Sequence, residues 1–344
     1  MIDTLKKFIW IAAAGWLILG VSGCGAASSQ KSTAQVRAGH FPNITHAQAL
    51  IGHATHRFEE ALAPDAIVEW KVFNAGPSAI EALFAGQIDI VYIGPSPAVN
   101  GYVKSGGEAA RVIAGAAEGG AALVVREDAG IKGPEDLHGK KIASPQLGNT
   151  QDVALRSWLL KNKLELKEKG GDVQVLPISN ADQQTLLIKK EIDAAWTVEP
   201  WVSILGQTAG TKVLLEESSL WPGGRYATTV LLVRTRFLKD HPGLVKKFLD
   251  IHVEITEWIG QNPSEAKKIV SEEIERETHK PIPPGILEKA WSRIRFTHEL
   301  PIFSVREQAK AAQEVGYLKE LPDLAGLFSA SVLEEVLKER ESRA

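Results

Sequence analysis

Residues 144–156 read SPQLGNTQDVALR, a pattern typical of the turn that joins a strand to a helix in α/β proteins. Residues 141–143 precede it as a short predicted strand, and an amphipathic helix is predicted to follow. Gly148 permits unusual backbone angles, and Asn149 or Thr150 can cap the helix. Such a turn directs several backbone N–H groups and the positive end of the helix dipole at one point, which suits an oxyanion. The same turn is also common where it only caps a helix. The rest of the sequence is therefore needed to distinguish an oxyanion site from a simple helix cap.

The composition is that of an ordinary globular protein. The chain has 344 residues, of which 44% are hydrophobic and 24% are charged, and this length allows two or three domains. The formal net charge of -3 argues against nucleic-acid binding, which usually requires a basic face.

The N-terminus resembles a secretory signal. Lys6 and Lys7 precede an apolar run over residues 8–21, which is short for a membrane span. The run ends at Val-Ser-Gly-Cys24, a sequence that resembles the lipobox of bacterial lipoproteins. The alternative is an uncleaved N-terminal anchor, which would also place the protein on the outer side of a membrane.

Cys24 is the only cysteine in the chain, so no intrachain disulfide can form. Its position favours a lipid attachment point over a catalytic thiol. We therefore expect a lipoprotein signal peptide over residues 1–24 and a flexible tether of small and polar residues over residues 25–35. The protein is expected to be exported and held at the membrane by a lipid anchor, either in the periplasm or on the outer surface.

From Val36 onward, predicted strands and helices alternate, and their order repeats. The segment AGQIDIVY at residues 85–92 is echoed by KKEIDAAW at residues 189–196, and each copy leads into a turn that contains proline. Strands that alternate with helices predict parallel sheets with right-handed crossovers. In such sheets the ligand-facing loops lie at the carboxyl ends of the strands. The repeat therefore predicts two similarly built lobes.

The lobes are assigned from the order of the elements. Residues 36–124 and 228–344 are predicted to form the first lobe, and the helices near the C-terminus are expected to brace the two lobes. Residues 125–227 are predicted to form the second lobe. The apolar strand at residues 228–233 is the return to the first lobe.

Three loops occupy equivalent places and each precedes a helix: residues 43–46, 94–97 and 148–151. If all three face one cleft, they can present N–H, hydroxyl and amide donors to a shared ligand; alternatively, each only caps its helix. His46 could donate a hydrogen bond to an anion or be a structural histidine. The candidate donors around the cleft are Asn43, Thr45, His46, Gly94, Ser96, Gln146, Gly148, Asn149, Thr150 and Gln151. Asp152 is expected to turn back onto the helix cap instead of facing an anion.

Aromatic residues at the carboxyl ends of strands could form an apolar wall of the same site, although such residues are as often part of the core. They are Tyr92, Trp196 and Trp201. Glu199 lies between the two tryptophans, and three roles are open for it: it pairs with Arg225 across the cleft, accepts a hydrogen bond from the ligand, or recognises an amine.

Signatures of metal binding and catalysis are weak. His53 and His56 lie one helical turn apart, but no third ligand accompanies them at a suggestive spacing, so a solvated helix face is expected instead of a metal site. The sequence contains no nucleophile elbow, Walker loop, zinc-protease motif or dinucleotide fingerprint. We expect no catalytic residues, no metal and no cofactor.

The chain resembles the substrate-binding proteins of ABC importers of the nitrate/sulfonate/taurine class, and it is most similar to the aliphatic-sulfonate family. The resemblance extends from about residue 36 to about residue 263 and more loosely to the end. The stretches that carry it are GNTQDVALR at 148–156, IDAAWTVEPW at 192–201, LWPGGR at 220–225, IGPSPA at 93–98 and FLKDHP at 237–242.

The resemblance implies a periplasmic-binding-protein-like fold of type II, with two doubly wound α/β lobes joined by a hinge of two crossings. It implies a monomer that captures a small organic anion, an aliphatic sulfonate or taurine, and delivers it to a membrane permease and its ATPase. Nitrate, bicarbonate and thiamine-precursor pyrimidines are the alternative ligands among such proteins. Pyrimidine synthases share the fold, but they carry a cysteine-rich motif that this chain lacks.

Overall fold

The computed structural model describes residues 33–208 and 210–343. The predicted signal peptide, Cys24 and most of the predicted tether lie outside the described residues. Strand β1 begins at Ala34, so the last two residues assigned to the tether belong to a strand. Within the described ranges, every helix is too short or too polar to cross a membrane.

The first sheet has six strands, which are β1 (Ala34–His40), β2 (Ala66–Val72), β3 (Ile90–Ile93), β4 (Ala110–Gly119), β10 (Ala227–Arg234) and β11 (Ile294–Phe296). Their order across the sheet is β11-β4-β10-β3-β1-β2. The helices that follow its first three strands are α1 (Ala47–Ala54), α2 (Arg57–Leu62), α3 (Gly76–Phe84) and α4 (Pro95–Lys104). We call this sheet and its helices the first lobe.

The second sheet has five strands, which are β5 (Ala121–Arg126), β6 (Lys141–Ser144), β7 (Gln174–Pro177), β8 (Ala194–Val198) and β9 (Thr211–Glu216). Their order across the sheet is β7-β6-β8-β5-β9. Its helices are α5 (Thr150–Lys161), α6 (Asn180–Ile188) and α7 (Trp201–Gly206). We call this sheet and its helices the second lobe.

The two sheets have the same topology. In each sheet, three parallel strands lie beside an antiparallel strand that the chain enters from the other lobe. This strand is β10 in the first sheet and β5 in the second. The prediction of two similarly built, doubly wound α/β lobes is confirmed. The sheets are mixed, however, and not wholly parallel as expected, because the chain enters each sheet from the opposite direction at the crossing strand.

The first crossing between the lobes lies at Gly119 and Gly120. Both residues have positive φ, 80° and 82°, and a Cβ atom on Gly119 would lie 2.5 Å from the carbonyl oxygen of Arg293. Glycine is therefore required at a tight turn between β4 and β5. The predicted lobe boundary after residue 124 differs from this, because the apolar pattern of a buried strand does not reveal which sheet it joins. The return crossing precedes Ala227, close to the predicted position.

The sequence echo of residues 85–92 and 189–196 marks equivalent anchors in the two lobes. Asp89 accepts hydrogen bonds from the backbone N–H of Arg37 in β1 and from the side chain of Arg234 in β10. Asp193 likewise accepts from the N–H of Lys141 in β6, at 2.9 Å, and from Arg126 in β5, at 3.0 Å. Each aspartate ties three strands together at the sheet edge opposite the carboxyl ends of the parallel strands.

The C-terminal region is helical. Its helices are α8 (Thr235–Asp240), α9 (Pro242–Gln261), α10 (Pro263–Thr278), α11 (Pro284–Trp291), α12 (Ile302–Glu314) and α13 (Ala330–Arg343). Helices α9 and α10 pack on α1 and α2 and complete the core of the first lobe, where the rings of Phe58 and Phe248 stack at 4.2 Å. Helix α12 packs on α4 of the first lobe and on α5 of the second. The C-terminal helices therefore contact both lobes.

Candidate ligand-binding site

A small cavity lies between the lobes, at the carboxyl ends of the parallel strands. It has a volume of about 20 Å³, which is room for about one water molecule. The first lobe lines it with Phe41, Asn43, Thr45, His46, Asn74, Ala75, Gly76, Gly94, Pro97 and Thr228. The second lobe lines it with Pro145, Asn149, Thr150, Gln151, Asn180 and Val198. This is where ligands bind in open α/β sheets.

All three loops singled out in the sequence reach this cavity. The candidate residues that the structure brings together there are Asn43, Thr45, His46, Gly94, Asn149, Thr150 and Gln151. Among the described residues that line it, there is no aspartate, glutamate, lysine or arginine. The cavity is therefore polar, since it is rich in amide and hydroxyl groups, but its lining side chains offer no full counter-charge.

The second-lobe loop is arranged as a helix cap. Asn149 Oδ1 accepts a hydrogen bond from Asp152 N at 2.8 Å. The carboxylate of Asp152 accepts from Gly148 N at 2.9 Å and from Ser144 Oγ at 2.7 Å, and it is also bonded to Arg156 and Tyr317. The expectation that Asp152 turns back onto the cap is confirmed.

This cap decides which N–H groups can serve a ligand. Gly148 N–H is occupied by Asp152, so the glycine shapes the turn, with φ of 75°, but its N–H is not a free donor. Gln146 also contributes to the turn, since its carbonyl accepts from Asn149 N at 3.1 Å, and it does not line the cavity. The N–H groups of Thr150 and Gln151 lie in the first turn of α5, where a helix supplies no acceptor.

His46 contributes a neutral donor from the first lobe. Burial lowers the pKa of His46 well below its usual value, so the ring is uncharged near neutral pH. Its Nδ1 accepts a hydrogen bond from Phe41 N at 3.3 Å, and its ring packs on that of Phe41 with centroids 4.5 Å apart. Because Nδ1 is an acceptor, the proton of the neutral ring lies on Nε2.

The lobes touch across the cavity. Thr150 Oγ1 in the second lobe accepts from Ser96 N in the first at 3.4 Å, and a Cβ atom on Gly94 would lie only 2.2 Å from the same oxygen. Trp201 Nε1 donates to Asn43 Oδ1 at 3.3 Å. Ser96 and Trp201 are thus buried contacts between the lobes beside the cavity, instead of lining residues as expected.

Tyr92 lies in the core of the first lobe and not on the cavity wall. It is in the middle of β3, is fully buried, and its hydroxyl is 3.0 Å from His252 Nδ1. The strand is covered on both faces, so the ring of Tyr92 is enclosed in the core. Gly94, which follows the strand, lines the cavity instead.

Glu199 and Arg225 are not paired with each other. Glu199 is fully buried and accepts from Ser203 Oγ at 2.8 Å and from Arg293 Nη1 at 3.0 Å. Burial raises the pKa of Glu199, and the hydrogen bonds from Ser203 and Arg293 oppose that shift. Arg225 is half-exposed and binds Glu118 at 2.9 Å. Neither side chain reaches the cavity, so the proposed pair across the cleft is wrong.

Trp196 also points away from the cavity, into the core of the second lobe. Its indole Nε1 donates to Glu217 Oε2 at 2.8 Å, and Trp221 Nε1 donates to the other oxygen at 3.4 Å. Glu217 is almost fully buried, and this burial raises its pKa from 4.5 to about 7 in spite of the two donors.

The raised pKa of Glu217 makes stability depend on pH. A carboxyl group that holds its proton more tightly when folded stabilises the protein fully below the unfolded pKa, and this contribution is lost as pH rises through the folded pKa. Between pH 4.5 and about 7, we expect the free energy of unfolding to fall by about 3 kcal/mol because of this group. Urea unfolding across that range should show a flatter pH profile for Glu217→Gln. Substituting the exposed Glu320 by Gln should leave the profile unchanged, and equal slopes in wild type and Glu217→Gln would contradict the assignment.

Several lining residues were missed by the sequence reasoning. Asn74 follows β2, Asn180 opens the helix after β7, and Thr228 is the second residue of β10. Asn180 Oδ1 accepts from Thr197 Oγ1 at 2.7 Å, which fixes its orientation. The signal that would have found Asn74 and Asn180 was available, because both follow strands whose carboxyl ends meet at the same edge of their sheet.

The chain is similar to a known protein family and to known binding proteins. A family model described as NMT1-like matches residues 29–274. The putative aliphatic sulfonates-binding protein of Bacillus subtilis (strain 168) is 27% identical over 271 residues, which cover 78% of this chain and 78% of that protein. The taurine-binding periplasmic protein of Escherichia coli (strain K12) is 28% identical over 201 residues, which cover 58% of this chain and 59% of that protein.

A solved structure extends the comparison to the fold. The alkanesulfonate-binding protein SsuA from Xanthomonas axonopodis pv. citri, bound to MOPS, matches with a TM-score of 0.70 at 20% identity and covers 86% of this chain and 98% of that chain. This likeness confirms the predicted two-lobed, periplasmic-binding-protein-like fold. The family match spans well over half of the sequence and includes every residue that lines the cavity. The chain therefore belongs to the NMT1-like family.

Proposed function

We propose that this protein is the extracytoplasmic solute-binding component of an ABC importer and captures a small organic oxyanion, an aliphatic sulfonate, between its lobes. The observation that carries the proposal is the cavity at the carboxyl ends of both sheets, lined from both sides by uncharged hydrogen-bond donors. The similarity to aliphatic sulfonate-binding and taurine-binding proteins supports the same class of ligand.

Neutral donors can hold an anion between the lobes. The first-turn N–H groups of α5 and the imidazole Nε2–H of His46 all present partial positive charge without a mobile counter-ion. Only a ligand that contacts both lobes favours the closed arrangement over the open one. Binding and closure are therefore one coupled event.

Taurine carries an ammonium group as well as a sulfonate, and a buried cation usually requires a carboxylate partner. The described residues that line the small cavity offer none, whereas a neighbouring pocket, which Thr150 also lines, includes Glu217 and Glu307. We therefore propose that the amine of a ligand such as taurine lies in that neighbouring pocket.

The organic tail has a separate pocket of mixed polar and aromatic lining within reach. Thr150 lines both the polar cavity and a neighbouring pocket of about 260 Å³, whose walls include Trp158, Trp221 and Phe303. We place the tail of the ligand there. We propose that the aromatic residues of this pocket, and not Tyr92 or Trp196, form the aromatic wall that the sequence led us to expect.

A second candidate ligand is nitrate or bicarbonate. The observation that favours it is the small volume of the polar cavity, about 20 Å³, because a small planar anion requires the lobes to separate less than a sulfonate with its tail does. A small planar anion would use the same donors and leave the aromatic pocket unoccupied.

The remaining parts of the proposal follow from this role. The protein would act as a monomer without catalysing a reaction, and it would deliver its ligand to a membrane permease and, through it, to an ATPase. The taurine-binding relative is periplasmic, which supports export of this chain. Attachment to the membrane by a lipid at Cys24 remains part of the proposal.

Calorimetric titration with ethanesulfonate, longer alkanesulfonates, taurine and nitrate tests the ligand. We expect sulfonates to bind and the affinity to rise about fourfold per added methylene, since burying one is worth about 0.8 kcal/mol. Thr150→Val keeps the side-chain shape but removes the hydroxyl between the two lobes, and it should weaken binding about tenfold without changing the fold. Absence of any sulfonate response at millimolar concentration would overturn the sulfonate assignment, and a response to nitrate alone would establish the second candidate.

A further inference from the structure

A cluster of two histidines and two glutamates lies outside the cavity, where β1 meets α1 and α10. His40 is the last residue of β1, His53 lies in the last turn of α1, and Glu273 and Glu277 lie one turn apart on α10. His40 is fully buried, the side chains of both glutamates are about 4% exposed, and that of His53 is 22% exposed. We propose that this cluster is a binding site for a divalent transition-metal ion of the zinc type.

The distances bring three ligand atoms together, and Glu273 lies beside them as a fourth candidate. His40 Nε2 is 2.7 Å from Glu277 Oε1, and His53 Nδ1 is 2.9 Å from Glu273 Oε1 and 3.9 Å from Glu277 Oε1. One ligand atom from each of His40, His53 and Glu277 lies within 4.8 Å of the others. Zinc bonds of about 2.0–2.2 Å place tetrahedral ligand atoms about 3.4 Å apart. The observed distances lie on both sides of that value, so small side-chain rotations suffice.

Hydrogen bonding alone leaves the cluster incompletely satisfied. His53 Nδ1 faces two carboxylate oxygens, and a neutral ring can donate only one hydrogen from that atom. Within residues 33–208 and 210–343, Glu277 Oε2 and His40 Nδ1 have no hydrogen-bond partner although both are buried. A metal ion would bind the imidazole lone pairs and could engage both oxygens of Glu277. Two imidazoles and two carboxylates are a ligand set that suits zinc.

An access route leads to the cluster from outside. A pocket of about 470 Å³ lies between α1 and α10 and is lined by His53, His56, Glu273 and Arg276, among others. Arg276 binds Glu273 and lies 3.3 Å from His53 Nδ1, and its side chain is 59% exposed. The guanidinium can therefore swing outward when a divalent cation replaces its charge.

His56 supplies a matched control. It lines the same pocket and is exposed, but it is not among the residues of the cluster. Adventitious binding by surface histidines would depend on His56 as much as on His53. The cluster, in contrast, depends on His53 and not on His56. Asn is suitable at both positions, since it tolerates the left-handed backbone of His56, whose φ is 56°.

The test uses the full chain without a histidine tag, stripped of metal with a chelator and titrated with zinc chloride by calorimetry. We expect one zinc per chain, an affinity lowered at least about tenfold in His53→Asn, and an unchanged affinity in His56→Asn. Cobalt(II) should give the intense visible absorption of a four-coordinate site in wild type and in His56→Asn, and this absorption should be lost in Glu277→Gln.

Three results would overturn the proposal. They are the absence of zinc binding at micromolar concentration, equal losses of affinity in His53→Asn and His56→Asn, and the weak absorption of six-coordinate cobalt in wild type. The cobalt spectrum of the wild-type protein decides the question even if a variant fails to fold. Thermal melts of the metal-free variants identify any such failure.

Discussion

Gly94→Ala is expected to weaken ligand binding about 100-fold while leaving the fold of each lobe intact. Gly94 has φ of −68° and ψ of 149°, angles that alanine adopts without strain, so the backbone does not require glycine. The new Cβ atom, however, would lie 2.2 Å from Thr150 Oγ1 of the opposite lobe. Relieving such an overlap costs up to about 3 kcal/mol, or roughly 100-fold in affinity. Because the contact joins the two lobes, the overlap destabilises the closed complex and not the open protein.

Titration calorimetry with the tightest ligand of the panel measures this effect, and small-angle scattering with saturating ligand reports whether the lobes close. The melting temperature without ligand should remain that of wild type. Gly260→Ala is the matched control, since a Cβ atom there would meet nothing within 4 Å. Wild-type affinity in Gly94→Ala would show that ligand capture does not require the contact of Gly94 with Thr150.

Arg293→Met is expected to lower the stability of the protein by about 3 kcal/mol. Arg293 joins the first lobe to two glutamates of the second, with bonds of 2.8 Å to Glu216 and 3.0 Å to Glu199. Glu199 is fully buried, and removing one partner of a buried ion pair typically costs about 3–5 kcal/mol because the other charge is left uncompensated. We take the lower end, since Ser203 still donates to Glu199.

Thermal unfolding measures this loss. At about 2.1 cal/mol/K per residue, 3 kcal/mol in a chain of this length corresponds to roughly 4 °C in melting temperature. The control is Arg236→Met, because Arg236 is largely exposed and, among the described residues, its ion pair is with exposed Asp240 at 3.4 Å. Adding Glu199→Gln to Arg293→Met should recover part of the loss, since no buried charge then remains at position 199. If the double variant is no more stable than Arg293→Met, the unpaired carboxylate is not the cause.

The loops of the site were predictable because their signals are local. A glycine, a capping residue and a following helix identify the turn at residues 148–151, and the same logic found residues 43–46 and 94. The cap formed by Asn149 and the turned-back Asp152 depend on a spacing of three residues, which a sequence displays directly. The repeated order of strands and helices predicted the two lobes for the same reason.

The side chains that were misplaced depend on distant partners. Glu199 is bonded to Arg293, which lies 94 positions away, and Arg225 is bonded to Glu118, which lies 107 positions away. Tyr92 and Trp196 lie on strands that are covered on both faces, so no alternation of polar and apolar residues indicates the direction of either ring. The lobe boundary was misplaced for the same reason, because Ala122 to Val125 would be buried in either sheet.

The histidine cluster also depends on partners that are distant in the sequence. The spacing of His53 and His56 predicted a solvated helix face, but His56 lies beyond the end of α1, and the neighbours of His53 come from β1 and α10. His40 and Glu277 are 237 positions apart in the chain. Only the packing of α10 on α1 brings them together.

The aspartate anchors Asp89 and Asp193 bear on how new binding proteins could be engineered from this scaffold. Each aspartate joins the strands of its sheet at the edge remote from the cavity. It does so by hydrogen bonds to the backbone N–H of Arg37 or Lys141 and to an arginine side chain of the crossing strand. The loops that line the cavity leave the strands at the other edge. Loop grafting and recombination with related sequences can therefore alter specificity without disturbing these hydrogen bonds. A library that holds both aspartates and their arginines constant should contain a larger fraction of folded clones than one that randomises them.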